Sequence, residues 1–315
     1  MYPIKLKQIL PNEKRCIVIS GNEDKSLRRI VFTYFNSEKE FEEQYNEIAK
    51  IEKTKQILTG KQFSGGLFCV ATDFKNKGIV PEKQLIELIK NITRKHKWAY
   101  YPSSNIQDSY KIEHLHRIGV TQHYWSDEIP VQEADYVSMF IATHKALQIN
   151  GFKTFMIDGN NLNDFQVLLK ELADPTFANP DVYITNKELN IDHMRSIDRI
   201  KPKMVILFGN SILTHDKAVH LMKQNIQIIP SSLTEMGNMI VSEGHFNNCR
   251  SVEESFQLIN TACTELNATL WKYVQNYREN MYTVLDEIYQ AHTNENKKSR
   301  FRLSYKDIGA MGYLA

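Results

Sequence analysis

Phe152-Lys153-Thr154-Phe155-Met156-Ile157 runs directly into Asp158-Gly159-Asn160-Asn161. A short apolar run closed by a glycine turn reads as a strand that hands the chain to a helix. Upstream, Glu133 to Asn150 carries a long helical pattern, and Gly151 suits the left-handed position after a helix end. Downstream, Val182-Tyr183-Ile184, Met204-Val205-Ile206-Leu207 and Ile226-Gln227-Ile228-Ile229 are further apolar runs, with helical stretches such as Asp216 to Gln224 beside them. Buried apolar strands alternating with helices predict an α/β fold with a parallel, doubly wound sheet. From about Ser251 to His292 the pattern is almost entirely helical.

The N-terminal third also alternates. Arg15 to Ser20 and Arg29 to Phe35 read as strands around a polar turn. Ser37 is a predicted N-cap with Glu40 at the capping-box position, opening a helix through about Lys53. The loop Gly60-Lys61-Gln62-Phe63-Ser64-Gly65-Gly66 follows, then a strand Leu67 to Ala71, a helix Pro81 to Arg94 and a strand Trp98 to Tyr101. The glycine pair lets a backbone approach a ligand closely, because glycine has no Cβ.

Composition narrows the function classes. The 315 residues suffice for two domains, and 42% apolar with 24% charged residues is the make-up of a globular protein. Lys+Arg 39 against Asp+Glu 37 leaves no basic field, so nucleic acid is not an expected partner. No apolar run reaches the ~18–20 residues of a membrane span, and Met1 to Lys5 shows no apolar leader, so a cytoplasmic location without membrane contact is expected. Cys16, Cys69, Cys249 and Cys263 lack a CxxC spacing and read as buried, reduced thiols. His114 and His116 share a face without a third ligand in sequence reach, so no metal site is expected. Ser242-Glu243-Gly244-His245 and Asp192-His193 hint at hydrolytic groupings, but no G-x-S-x-G elbow accompanies them.

Read together, Tyr34-Phe35-Asn36-Ser37-Glu38-Lys39-Glu40, Thr54-Lys55, Gly65-Gly66-Leu67, Tyr100-Tyr101-Pro102-Ser103-Ser104-Asn105, Pro180 to Ile184, Ile200 to Ile206, Asn210 to Thr214 and Asn225 to Pro230 resemble the leucine/phenylalanine/valine amino acid dehydrogenase family in order and spacing. The likeness covers most of residues 29–290, by pattern more than by identity. It implies a mixed-sheet substrate and oligomerisation domain over 1–130, with 286–315 returning to it. It also implies a shortened Rossmann-like domain over 131–285 and a helical C-terminal tail.

The resemblance implies one lysine that holds the substrate carboxylate, matched by Lys55. By its position alone, Lys55 reads as a solvated lysine at a helix end. A second lysine and an aspartate perform the family's acid/base chemistry, and Leu67 and Asn105 stand in their places. Leu67 cannot carry a proton and Asn105 cannot act as a carboxylate, so general acid/base work worth ~10²–10⁴-fold per group is missing. Lys55, Gly65, Gly66, Asn105 and Asp108 remain as candidate substrate-binding residues. Trp98, Tyr100, Tyr101, Tyr124 and Trp125 read either as an aromatic pocket or as core.

The nucleotide side departs as well. A dinucleotide fold carries G-x-G-x-x-G after its first strand, so that a pyrophosphate reaches a helix N-terminus. Here Gly159 alone survives and Asp164 falls on the third glycine. Asp158 and Asp164 bring negative charge beside a diphosphate, and the span to Val182 leaves little room for the usual second strand. Asp158-Gly159-Asn160 also reads simply as a turn with an N-cap. Asp158, Gly159, Asn160 and Asn210 are the candidate cofactor residues, yet no cofactor is expected.

The resulting expectation is a dehydrogenase-like protein without NAD-dependent activity, repurposed to bind an amino-acid-like small molecule or a protein partner. It would be a homo-oligomer or the partner of an active relative. The alternatives are an enzyme of another class on this scaffold, acting on an amino acid or 2-oxo acid, and an NAD(P)-dependent amino acid oxidoreductase with divergent motifs.

Overall fold

The computed structural model describes residues 4–10, 14–20, 27–34, 38–59, 66–72, 99–101, 131–159, 162–187, 189–209, 213–241, 251–294, 297–301 and 303. Side chains are described for 46–59 and, within those ranges, from 133 onward. The chain divides into two compact units: Met1–Gln56 with Gln62–Ile129, and Ile57–Lys61 with Pro130–Ala315. The predicted helix over 81–94, the Ser37 cap, the loop 60–65, His114, His116 and residues 242–245 lie outside the described residues.

The first unit holds a five-stranded mixed sheet. Its strands are β1 (Ile4–Leu10), β2 (Lys14–Ser20), β3 (Leu27–Tyr34), β4 (Gly66–Thr72) and β5 (Ala99–Tyr101), in the order β1-β2-β4-β3-β5. β1 and β2 form an antiparallel hairpin, β2 pairs antiparallel with β4, and β3 runs parallel to both β4 and β5. β1 has no counterpart in the sequence reading. Its Ile4/Leu6 against Lys5/Lys7 alternation is a period-2 pattern too short to stand out alone.

Between β3 and β4 lies α1 (Glu38–Leu58). It runs a turn past the expected end at Lys53, because its last residues find burial rather than water. Glu52 and the whole of Thr54 to Thr59 are buried, and the Thr54 hydroxyl donates to the Lys50 carbonyl at 2.8 Å. A helix end buried on all sides gains enough from packing to outweigh its polar composition.

In the second unit, α2 (Val131–Asn150) ends at Gly151, whose φ of +64° is the left-handed stop predicted for it. A five-stranded sheet follows: β6 (Thr154–Asp158), β7 (Asp174–Pro175), β8 (Val182–Thr185), β9 (Met204–Leu207) and β10 (Gln227–Ile229). The order is β10-β9-β8-β6-β7 and every pairing is parallel. β8 and β9 are buried at every position, as strands covered on both faces must be. The connecting helices are α3 (Asn163–Leu169), α4 (Ile191–Ile200), α5 (His215–Lys223) and the single turn α6 (Ser231–Thr234).

This is the doubly wound order with its outer strand cut back. The expected shortage of room after Asp158 takes the form of β7. It is two residues long, pairing Thr154 with Asp174 and Phe155 with Pro175.

The helical tail is α7 (Val252–Tyr277) and α8 (Met281–Thr293). Ser251 and Glu254 complete a capping box at the start of α7. The expected helical stretch of 251–292 is broken once, at Arg278, in left-handed geometry at φ 54°. Asn280 then caps α8: its Oδ1 accepts from Tyr282 N and Ile228 N, each at 3.1 Å, and its Nδ2 donates to Ile226 O at 2.8 Å. α8 is thereby tied to β10 inside the second unit.

Candidate functional site

Lys55 lies in the last turn of α1 at 4% exposure, and its Nζ donates to Glu52 Oε1 at 3.2 Å. The reading of Lys55 as a solvated helix-end lysine is therefore corrected. Its ammonium is desolvated, and a buried cation requires a partner such as this carboxylate. Gly66 opens β4, and Leu67 pairs with Arg29 across the parallel β3–β4 ladder. Gly65, Asn105 and Asp108 lie outside the described residues, as do Trp98, Tyr124 and Trp125.

The second unit shows a group of titratable side chains at the carboxyl ends of β6 and β8. Asp158 ends β6. Its Oδ2 accepts from the Tyr183 hydroxyl at 2.6 Å and meets His193 Nε2 at 3.1 Å, while Lys187 pairs with Oδ1. The Thr185 hydroxyl donates to the Asp158 carbonyl at 2.7 Å and accepts from Lys187 N at 3.1 Å. Tyr183 and Thr185 alternate along β8 and share one face, and Lys187 follows in the bend after the strand. His193 arrives from the first turn of α4, which Asn190 caps by accepting from Asp192 N and His193 N.

Burial alone would raise the Asp158 pKa. The bonds from Lys187, Tyr183 and His193 outweigh it and hold the carboxyl below its ordinary value. Burial and the Asp158 charge together push the Tyr183 phenol well up, so it stays a donor. β6 has β7 on one side and β8 on the other, which makes this the point where strand order reverses. Open α/β sheets bind ligands there.

The turn itself is filled by the chain's own side chains. A Cβ on Gly159 would lie 2.6 Å from Asn186 Oδ1 and 2.6 Å from Leu162 Cδ1. Asn160 and Asn210 lie outside the described residues. α3 is seven residues long, starts from Leu162 without a side-chain cap, and carries Asp164 in its first turn.

The Glu235-Met236-Gly237-Asn238 segment, in which a helix starts at Gly237, is buried throughout. A Cβ on Gly237 would sit 1.8 Å from the Ala134 carbonyl of α2. Gly237 N donates to Ser138 Oγ at 3.2 Å, and Asn238 N donates to Asp135 Oδ1 at 2.8 Å. These bonds tie the segment to α2, and the Thr234 hydroxyl just before it donates to the Leu207 carbonyl at the end of β9 at 2.7 Å.

Among the sequence candidates, the structure gathers Asp158 and Gly159, and His193 from the Asp192-His193 pair. Tyr183 and Lys187 were missed: one looks like core in an apolar run, the other like an ordinary surface lysine. Their only sequence signal is the alternation with Thr185.

No family model matches the chain, and no curated protein matches it. Solved structures do. The hetero-hexameric glutamate dehydrogenase of Thermus thermophilus in its leucine-bound form matches with a TM-score of 0.59 at 11% identity, over 94% of this chain and 90% of that one. L-tryptophan dehydrogenase of Nostoc punctiforme matches at 0.59 and 10%, over 93% and 96%. Glutamate dehydrogenase of Peptoniphilus asaccharolyticus matches at 0.56 and 11%, over 99% and 90%. At these identities the likeness is one of fold: the chain has an amino acid dehydrogenase-like architecture over nearly its whole length.

Proposed function

We propose that this chain is an amino acid dehydrogenase-like protein that does not carry out NAD-dependent deamination and instead binds an amino-acid-like small molecule or a protein partner. The observation that carries this is the ionic cluster on Asp158. A dinucleotide needs a glycine-rich turn and a helix N-terminus free to meet its phosphates. Here the strand end bears a carboxylate held ionised by three donors, and the helix that follows has seven residues with an aspartate in its first turn. A diphosphate approaching this turn meets the Asp158 and Asp164 carboxylates, while the Lys187 ammonium at the strand end is already paired with Asp158. Leu67 on β4, in the place of the family's second lysine, supports the same reading.

The leucine in the Thermus thermophilus neighbour supports an amino acid as the ligand class, and its hetero-hexameric assembly supports a role beside a second chain. The test is a thermal-shift titration with NAD and NADP, together with an assay of leucine, valine and phenylalanine deamination. Neither dinucleotide should move the melting temperature, and no reduced cofactor should form. A clear rise with either dinucleotide, or NAD(P)-dependent turnover, overturns the proposal.

A further inference from the structure

The helices α4 and α5 each lead into the start of a parallel strand, β9 and β10, so their last turns lie at the opposite end of the sheet from Asp158. Asp198 comes from the last turn of α4, His220 from the last turn of α5, and Gln224 from the residue that caps α5. Their polar atoms form a triangle. His220 Nε2 lies 2.8 Å from Asp198 Oδ1, Gln224 Nε2 lies 2.7 Å from the same oxygen, and the two nitrogens are 2.9 Å apart. Ile197 and Leu221, next in sequence to Asp198 and His220, are buried in one core cluster, which fixes both backbones.

Protons cannot satisfy all three edges of this triangle. With Nε2 protonated, His220 donates to Asp198, but the Gln224 amide then meets it donor to donor. With Nε2 bare, His220 accepts from Gln224 and faces the carboxylate acceptor to acceptor. Turning the amide sets its oxygen against the carboxylate instead. A cation at the centre removes the conflict, because a carboxylate oxygen, an imidazole lone pair and the turned amide oxygen then all point at positive charge.

We propose that Asp198, His220 and Gln224 form a binding site for one divalent first-row metal ion such as zinc or nickel, joining α4 to α5. Ligand atoms ~2.1 Å from such an ion and at right angles to one another lie ~3.0 Å apart, close to the edges of the triangle. An imidazole among the donors selects zinc or nickel over magnesium, which takes oxygen ligands and keeps its waters. Both helices contribute from their C-terminal ends, the negative poles of their dipoles, where positive charge is favoured. Arg199, Lys201 and Lys223 share those ends, yet among the described residues the Asp198 carboxylate is partnered by His220 and Gln224 and by no lysine or arginine. The His220 and Asp198 side chains are 49% and 36% exposed, which leaves the remaining coordination positions to water. Asp198 and His220 are 22 residues apart, so no ligand spacing announces the pair in the sequence.

The experiment takes the full chain stripped with EDTA and titrates it with zinc chloride and nickel chloride, with magnesium chloride as the control, by calorimetry and thermal shift. One equivalent of zinc or nickel should bind and raise the melting temperature, and magnesium at the same concentration should do neither. His220→Ala and Asp198→Asn should each weaken the binding at least tenfold with the circular dichroism spectrum retained. Should one variant disturb the fold, the other decides. Failure of both zinc and nickel to bind, binding matched by magnesium, or binding indifferent to both variants, as by histidines elsewhere in the chain, overturns the site.

Discussion

Two aspartates sit at opposite ends of the parallel sheet and hold opposite kinds of partner. Asp181, at the amino-terminal end just before β8, is bound almost wholly by fixed groups. Its Oδ2 accepts from Lys153 N at 2.8 Å, Thr154 N at 3.1 Å and Thr154 Oγ1 at 3.2 Å, and its Oδ1 pairs with Lys203 at 2.8 Å. These bonds pin the entries of β6, β8 and β9 to one another. Among the described residues, the Asp158 carboxylate at the carboxyl end is bound by side chains: Tyr183, His193 and Lys187. The same residue type ties down backbone at one end and gathers side chains at the other. The difference follows from whether backbone or side chain supplies the donors.

The largest test of this contrast is Asp181→Ala. Removing an acceptor from two backbone amides, a hydroxyl and an ammonium should cost about 2–4 kcal/mol. For a unit of this size that is a fall in melting temperature of about 5–12 °C, read by calorimetry. A fall of only a degree or two would mean that the strand entries hold without the staple.

A middle-sized effect comes from acid. Burial works to raise the Asp181 pKa, but Lys203 and the amides of Lys153 and Thr154 outweigh it and hold the carboxyl at about 2. A pKa depressed on folding contributes stability that is complete above the unfolded value of ~3.9 and is lost as pH falls toward 2. The stability gap between wild type and Asp181→Asn should therefore shrink by on the order of 1–2 kcal/mol between pH 6 and pH 2.5. A gap that stays constant with pH would remove the electrostatic part of the contrast.

The smallest effect is expected for Asp158→Asn. The amide still accepts from Tyr183, and a partly exposed ion pair is worth ~0–1 kcal/mol, so the melting temperature should shift by no more than about 2–4 °C. A loss as large as that from Asp181→Ala would make the carboxyl-end cluster as structural as the staple at the other end.

How much of this was legible depends on what each element shows to its neighbours in sequence. β8 and β9 were plain, because strands buried on both faces are nearly unbroken runs of β-branched and aliphatic residues. The mixed sheet and the helical tail were also readable. The overrun of α1 was not, because Glu52, Lys55 and Gln56 are buried while having the composition of a solvated helix end. β7 was invisible, since Asp174-Pro175 carries no strand pattern and is held by its register against β6 alone. The stop at Arg278 has no glycine or asparagine to announce it. The site was half legible: Asp158 and Gly159 stood out as a damaged motif, but Tyr183, Lys187 and His193 converge only through β8 and the start of α4.

The stub of β7 also marks a seam for engineering. Between Pro175 and Val182 the chain crosses from one flank of β6 to the other through a surface bend in which Phe177 is 93% exposed and Asn179 adopts φ 50°. A strand–helix cassette taken from a longer neighbour and spliced there would extend the sheet outward without disturbing β8 through β10. A single cooperative melt of the chimaera would show that this architecture can be lengthened by a whole unit, as a row of tiles is lengthened at its open end.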